Sequence, residues 1–228
     1  MIKKTVIIII GVLFVAAACA AAIILPKKLK KDIPDSKTSV TTEEQKPEFS
    51  LSGDLTVSDI FAYSGEYVED GSDENVENIA AVTLTNTGKT DYQYIEFTLK
   101  TADGEYAFAA SSVHAGSVTT VLDRNKTAIG KETEVTEGEC ALKGEYEQAP
   151  GGYDDKFAVY LDNGTMNIKN ISGADMPGTI TVYYKNADEN GFFGGITYRA
   201  TIKGMKADEI QQRYSRHLGA VVNITYEE

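Results

Sequence analysis

The chain has no tryptophan, two histidines and two cysteines in 228 residues. Each scarcity removes a class of chemistry. Cys19 lies in an apolar run and Cys140 stands alone in the remainder, so the polar part has no disulfide of its own and no cysteine pair to ligate a metal. Cys140 sits in an alternating stretch and reads as a small core residue. Ser111 and Ser112 precede His114, and Ser215 precedes His217, but no Gly-x-Ser-x-Gly, His-Glu-x-x-His or cysteine nucleophile motif accompanies them. Sequence neighbours rarely form a nucleophile–base pair, because the fold assembles a triad from distant positions. Both histidines therefore read as surface residues, no catalytic residue is assigned, and an enzyme is not expected. Basic charge is also scarce after the N-terminus. Residues 1–31 hold six lysines and no acid, so residues 32–228 carry −18 against −12 for the whole chain. That balance excludes a nucleic-acid binder, which needs a basic footprint.

What the chain does have begins at its first residues. Lys3-Lys4 is followed by twenty residues, Val6 to Leu25, without charge or a strongly polar side chain, then Pro26 and Lys27, Lys28, Lys30 and Lys31. Twenty residues at ~1.5 Å rise suffice to cross the ~30 Å hydrocarbon core as a helix. Three readings are open. The first, which the length favours, is an uncleaved signal anchor with the C-terminal part extracytoplasmic in a single-pass cell-membrane protein. The second is a cleaved signal peptide, with small-x-small sites at Ala16-Ala17-Ala18, Ala18-Cys19-Ala20 and Ala20-Ala21-Ala22, giving a secreted protein. The third is lipidation of Cys19, against which stand Ala16 in place of leucine and the apolar residues after the cysteine. The downstream lysines alone point the other way, to a cytoplasmic C-terminal side. The export signature outweighs them here, and on the outer face they would lie against anionic lipid or wall polymer.

Residues 26–50 carry three of the five prolines among Lys, Ser, Thr and Glu, a stalk with little to bury. From Leu51 the apolar period becomes two. Ile95, Phe97 and Leu99 share one face with Gln93, while Tyr92, Tyr94, Glu96, Thr98 and Lys100 take the other; Ile196, Tyr198, Ala200 and Ile202 alternate with Thr197, Arg199, Thr201 and Lys203. Val82/Leu84, Met166/Ile168, Ile180/Val182/Tyr184 and Val222/Ile224/Tyr226 add further strands, and Asn163-Gly164 fits a two-residue hairpin turn. The expected fold is all-β, made of antiparallel sandwiches. One segment departs from it. Lys206 to Gly219, with Asp208 and Glu209 early, Arg213, Arg216 and His217 late, and Ile210, Tyr214 and Leu218 at i, i+4, i+8, predicts one short helix near 208–218.

The pattern also repeats. Thr-Asn-Thr-Gly at 85–88 recurs as Lys-Asn-Ile-Ser-Gly at 169–173, Ile95 to Lys100 as Ile180 to Lys185, and Thr101-Ala-Asp-Gly104 as Asn186-Ala-Asp-Glu-Asn-Gly191. Two tandem domains follow, 51–149 and 153–228, joined near Pro150-Gly151-Gly152; one larger sandwich is the alternative. The run Val82-Thr-Leu-Thr-Asn-Thr-Gly-Lys, then Tyr94-Ile-Glu-Phe-Thr-Leu-Lys and Asp103-Gly104-Glu105, resembles the FxLYD-type, Ig-like module of bacterial envelope proteins, as do Asn167 to Asn170 and Thr181 to Asp188. The namesake Leu-Tyr-Asp stands here as Leu99-Lys100-Thr101 and Tyr183-Tyr184-Lys185. The resemblance implies an extracytoplasmic β-sandwich and carries over no catalytic residue.

Two groups of residues are candidates for binding. Glu69 to Asn78 is an acidic loop in which Asp70, Asp73, Glu74 and Glu77 offer oxygen ligands for Ca²⁺, although Asn75 and Ala81 stand where an EF-hand needs Gly and Glu; a solvated loop is the simpler reading. Asp154-Asp155 and Asp162 are weaker candidates. Among the thirteen tyrosines, Tyr63, Tyr67, Tyr92, Tyr94 and Tyr183 fall at or near strand positions facing away from the expected core, and Gly191-Phe192-Phe193-Gly194-Gly195 reads as a glycine-flanked aromatic tip. Of these, Tyr92, Tyr94, Tyr183, Phe192 and Phe193 are the expected contacts for a partner, an envelope protein or a wall polymer; no cofactor is called for. A non-catalytic binding or assembly module is the first expectation, a structural accessory subunit of a membrane complex the alternative.

Overall fold

Alternation of apolar and polar side chains builds strands from Phe49 to Glu227. The computed structural model describes residues 48–151, 155–162, 164–188 and 190–228. The Val6–Leu25 run, the lysine cluster, nearly all of the stalk, Asp154 and Asn163 lie outside the described residues.

The first half holds β1 (Phe49–Ser52), β2 (Leu55–Val57), β3 (Phe61–Tyr67), β4 (Glu74–Asn86), β5 (Tyr92–Lys100), β6 (Glu105–Val113), β7 (Val118–Leu122) and β8 (Glu137–Glu145). The second holds β9 (Phe157–Asp162), β10 (Thr165–Asn170), β11 (Met176–Asp188), β12 (Gly191–Met205), β13 (Ile210–Tyr214) and β14 (Ala220–Glu227). In the first half β3-β4-β7 and β6-β5-β8 form; in the second, β9-β10-β13 and β12-β11-β14 form in the same order, every neighbour antiparallel. β1 and β2 extend the first half along β4. Each half buries its own apolar cluster. Leu55, Leu84, Ile95, Phe97, Leu99, Phe108 and Val121 fill the first, and Phe157, Met166, Ile168, Ile180, Val182, Ile202 and Ile224 the second. A parallel pairing, Phe192 and Phe193 of β12 beside Thr119 and Thr120 of β7, joins strands of the two halves into one eight-stranded sheet.

The repeat seen in sequence extends to individual hydrogen bonds. Asn86 and Asn170, both fully buried, end equivalent strands. Each donates from Nδ2 to the carbonyl four residues on (Thr90, 2.8 Å; Ala174, 2.7 Å) and to a carbonyl at the end of the next hairpin (Val113, 3.3 Å; Lys206, 2.9 Å). Each accepts at Oδ1 from the N–H two residues on (Gly88, 3.1 Å; Ser172, 3.0 Å). Asp91 and Asp175 then accept from the Ala115 and Ala207 N–H groups (2.8 and 3.0 Å) and meet the His114 and Lys206 side chains. Left-handed backbone recurs at Ser112 and Gly204, and again at Gly116 and Asp208. Removing either asparagine side chain leaves carbonyls of two segments without their donor and empties a fully buried position. Asn170→Ala is expected to cost about 2–3 kcal/mol, read as a lower urea midpoint with an unchanged slope, and Asn86→Ala a similar amount.

Three expectations need correction. No helix forms near 208–218. Lys206-Ala-Asp-Glu209 is the counterpart of the turn His114-Ala-Gly-Ser117, with Glu209 N–H donating to the Lys206 carbonyl as Ser117 N–H donates to that of His114, and Ile210 onward is strand β13. Spacings of four and eight keep Ile210, Tyr214 and Leu218 on one face of a strand as well as of a helix, so the apolar pattern did not separate the two. Tyr92 does not face outward. The register of β5 against β8 shifts between Tyr92 and Tyr94; Tyr92 turns inward, opposite Val113 of β6, while Gln93 is exposed. Phe192 and Phe193 are no tip: they open β12 at the junction, where the Phe193 ring lies 5.3 Å from that of Tyr63. Cys140 is half-buried on β8 against the first core. The hairpin expected at 163–164 has Asp162 opposite Thr165, with Gly164 at φ +75°.

Candidate functional site

The halves meet where β12 breaks its register. Tyr184 lies opposite Tyr198, but Asn186 lies opposite Phe193, so residues 194–197 bulge across from Lys185. Gly194 takes φ +86°, and a Cβ on Gly195 would overlap the Ala109 carbonyl oxygen of β6. That close approach lets the Gly195 backbone bind both halves. Its N–H donates to the Glu69 carboxylate (2.8 and 2.9 Å), which also accepts from Leu122 N–H (2.9 Å). Its carbonyl accepts from Lys185 Nζ (3.3 Å) and Ser111 Oγ (3.0 Å), while Lys185 Nζ also donates to the Ser111 carbonyl (2.8 Å). Lys185 is fully buried. Burial pulls its ammonium down to about 8, and the charge of Glu69 pulls the other way. Burial raises the Glu69 carboxyl, opposed by its backbone donors and by Lys185. In the first repeat the matching residue, Lys100, is half-exposed and pairs with Glu137 at 3.2 Å.

A hydroxyl chain runs outward from this point. Ser111 Oγ meets Thr197 Oγ1 (2.8 Å), Thr197 Oγ1 meets Ser112 Oγ (3.1 Å), and Ser112 Oγ meets the Tyr146 hydroxyl (2.8 Å). These groups line a cleft of about 1160 Å³ between the halves. One wall is β5 and β6 with Gln93 and Tyr94; the other is the outward face of β11, β12 and β14 with Tyr183, Arg199 and Asn223; residues 146–151 border it. Asn223, Tyr183 and Arg199 are direct cross-strand neighbours. The Tyr94 hydroxyl is held by Glu96 Oε1 (2.8 Å). Gly151 N–H donates to Asn223 Oδ1 (3.0 Å), and Ile224 N–H to the Gly151 carbonyl (2.9 Å), which ties the connecting segment to β14.

The structure brings Tyr94 and Tyr183 to this cleft and sends the other candidates elsewhere. Asp70 and Glu74 pair with Lys126 (3.2 and 3.1 Å), and a bonded Ser72 together with Lys126 holds Asp70 down at about 2. Asp73, nearly buried, pairs with Arg216 and lies 3.1 Å from His217 Nε2, while Arg216 also reaches Glu66 at 3.0 Å. Glu77 is exposed on β4. Among the described residues no three His, Cys, Asp or Glu side chains converge on a common point. Both histidines, expected at the surface, are recessed. His217 stacks on Tyr198 (4.7 Å), and burial followed by Arg216 lowers its imidazole; His114 pairs with Asp91 at 3.3 Å and stacks on Tyr146. Burial, with Glu69 next, raises the Tyr198 phenol to about 12. Ser215 Oγ accepts from the His217 backbone N–H, and Ser111 and Ser112 bond to other hydroxyls and to a carbonyl, so neither histidine is placed as a base for a serine.

Sequence reasoning missed Lys185, Glu69 and the Gly194-Gly195 bulge. The available signal was the second repeat itself, where Lys185 continues a buried strand and two glycines interrupt its partner. Comparison with protein-family models, with curated proteins and with solved structures found no match to this chain.

Proposed function

We propose that the chain is a membrane-anchored bacterial surface protein, held by the Val6–Leu25 segment, whose two tandem Ig-like domains of FxLYD type act as a non-catalytic binding or assembly module for an envelope protein or wall polymer. The observation that supports this reading is the cleft. Tyr94 from one repeat and Tyr183 from the other, both expected as contact residues from strand phase alone, line one polar cavity. Its serine hydroxyls are engaged with Thr197, Tyr146 and the Gly195 carbonyl, which favours recognition over covalent chemistry. The acidic charge of residues 32–228 fits a soluble surface module.

The test is protease treatment of intact cells carrying a C-terminal epitope tag on the full chain. Loss of the tag from unbroken cells is the expected result. A tag cleaved only after lysis would overturn the extracytoplasmic reading and leave the lysine cluster as the topology signal. In the same cells, Tyr94→Ala with Tyr183→Ala is expected to abolish partner retention while the protein level stays within about twofold, because both side chains are partly exposed and outside the two cores.

A further inference from the structure

We propose that the cleft between the two repeats is a glycan-binding site, taking a neutral or sparsely carboxylated polysaccharide segment; this rests on the surface-module reading and names its ligand class. The cavity, about 1160 Å³, exceeds the ~300–1,000 Å³ of an ordinary small-ligand pocket, so it suits an elongated ligand of several ring units. Its chemistry is that of a sugar partner. A pyranose presents a face of C–H groups, which packs on the electron-rich face of an aromatic ring, and a rim of hydroxyls that need planar donors and acceptors. The row Asn223–Tyr183–Arg199 supplies both: one ring with an amide on one side and a guanidinium on the other, in direct cross-strand register. Tyr94 faces it from the other repeat, its hydroxyl already fixed by Glu96, so the platform is pre-oriented before binding.

Charge narrows the ligand. Arg199 is exposed, has no acidic partner among the described residues, and is the cation lining the cleft, where Glu147 is the acid. In a chain with 34 acids and 22 Lys and Arg, an arginine left open on a concave polar wall offers a bidentate site for a ligand carboxylate or hydroxyl pair. The net negative field around it disfavours a phosphodiester polymer, which carries a charge at every repeat. A concave cavity rich in hydroxyls and amides also fits a glycan better than a folded protein surface, whose buried contact centre is apolar.

The test uses the full chain in detergent, titrated calorimetrically with three probes: an N-acetylglucosamine tetramer, a galacturonic acid tetramer, and a glycerol-phosphate oligomer. A dissociation constant below about 1 mM is expected for at least one sugar tetramer and none for the phosphate oligomer. Tyr183→Ala is expected to weaken sugar binding about tenfold. Arg199→Met would weaken the carboxylated tetramer more than the neutral one, and Tyr214→Ala, 80% exposed on another sheet, would change nothing. Silence of both sugars with protein of unchanged melting temperature overturns the glycan assignment, as does sugar binding insensitive to Tyr183 and Arg199, or binding of the phosphate oligomer alone. The surface-module reading fails separately, through protection of the C-terminal tag in intact cells. A photo-crosslinker at position 183 that captures a protein while the sugars are silent would overturn the glycan and keep the module.

Discussion

Gly195→Ala is expected to destabilise the chain by about 3 kcal/mol or more, a fall of about 6–12 °C in Tm for a unit of this size. The added methyl group has no room: it overlaps the Ala109 carbonyl oxygen and comes within 3.1 Å of a Glu69 oxygen. Relief requires β12 to retreat from β6. That retreat breaks the hydrogen bonds on which the junction depends, since Gly195 N–H is bound by Glu69 and its carbonyl by Lys185 and Ser111. Two buried charges would then lose their shared backbone partner at once, which makes the cost larger than packing strain alone. Gly130→Ala is the matched control. A Cβ there meets nothing within 4 Å, so its Tm is expected to stay within about 2 °C. Calorimetry on the two variants separates the readings. A Gly195→Ala protein as stable as the Gly130→Ala one would mean that the halves are held chiefly by the β7–β12 pairing and not by the bulge.

How much of this was legible follows from which interactions are local. Ile95, Phe97, Leu99, Ile180 and Val182 are buried where alternation put them, because a strand's period is a property of the chain itself. The Asn86 and Asn170 loops were legible as a repeat, since each asparagine bonds mainly within a few residues of itself. Tyr92 was not, because its inward turn comes with a register shift against β8, a non-local event. The segment 208–218 was misread although the correct signal was present: its counterpart in the first repeat, Ser117 to Leu122, has strand character, and the repeat outranked the charge pattern of a supposed helix. Of the cleft, Tyr94 and Tyr183 were legible as outward strand residues. Their meeting was not, because it depends on how β12 leaves β11 for β7. Glu69 counted in sequence as one more acid of a loop; only the fold aims it at two backbone N–H groups of other segments.

Lys185→Met should cost about 3–5 kcal/mol near pH 7, because it takes the donor from the Ser111 and Gly195 carbonyls and removes the positive charge that opposes the burial of Glu69. Its sharper signature is in the pH dependence. In the folded chain Lys185 loses its proton near pH 8, about where burial has pulled it from the ordinary 10.5 of an unfolded lysine. Between those values the unfolded chain binds more protons than the folded one, so stability gains from Lys185 as pH rises through this window. Glu69 acts on the acid side. Its folded value is raised above 4.5, so the folded chain holds more protons there, and stability falls as pH rises toward the folded value. The two groups therefore act with opposite sign, Glu69 as pH rises from 4.5 and Lys185 as pH rises from about 8. Wild-type unfolding at pH 9 is expected to take up about one proton through Lys185, and Lys185→Met to take up none from this source. The window closes at its upper end, where Tyr67 and Tyr198, raised to about 12, begin to contribute with the opposite sign. The measurement is calorimetric unfolding from about pH 7 to 9.5 in buffers of different ionisation enthalpy, which reads proton uptake directly. An equal, small uptake in both proteins would show that water reaches the Lys185 ammonium and that the junction opens far more often than its hydrogen bonds imply. An uptake confined to the wild type would fix a dry, charged hinge beneath the cleft, so that Tyr94 and Tyr183 face each other at a set spacing before any ligand arrives.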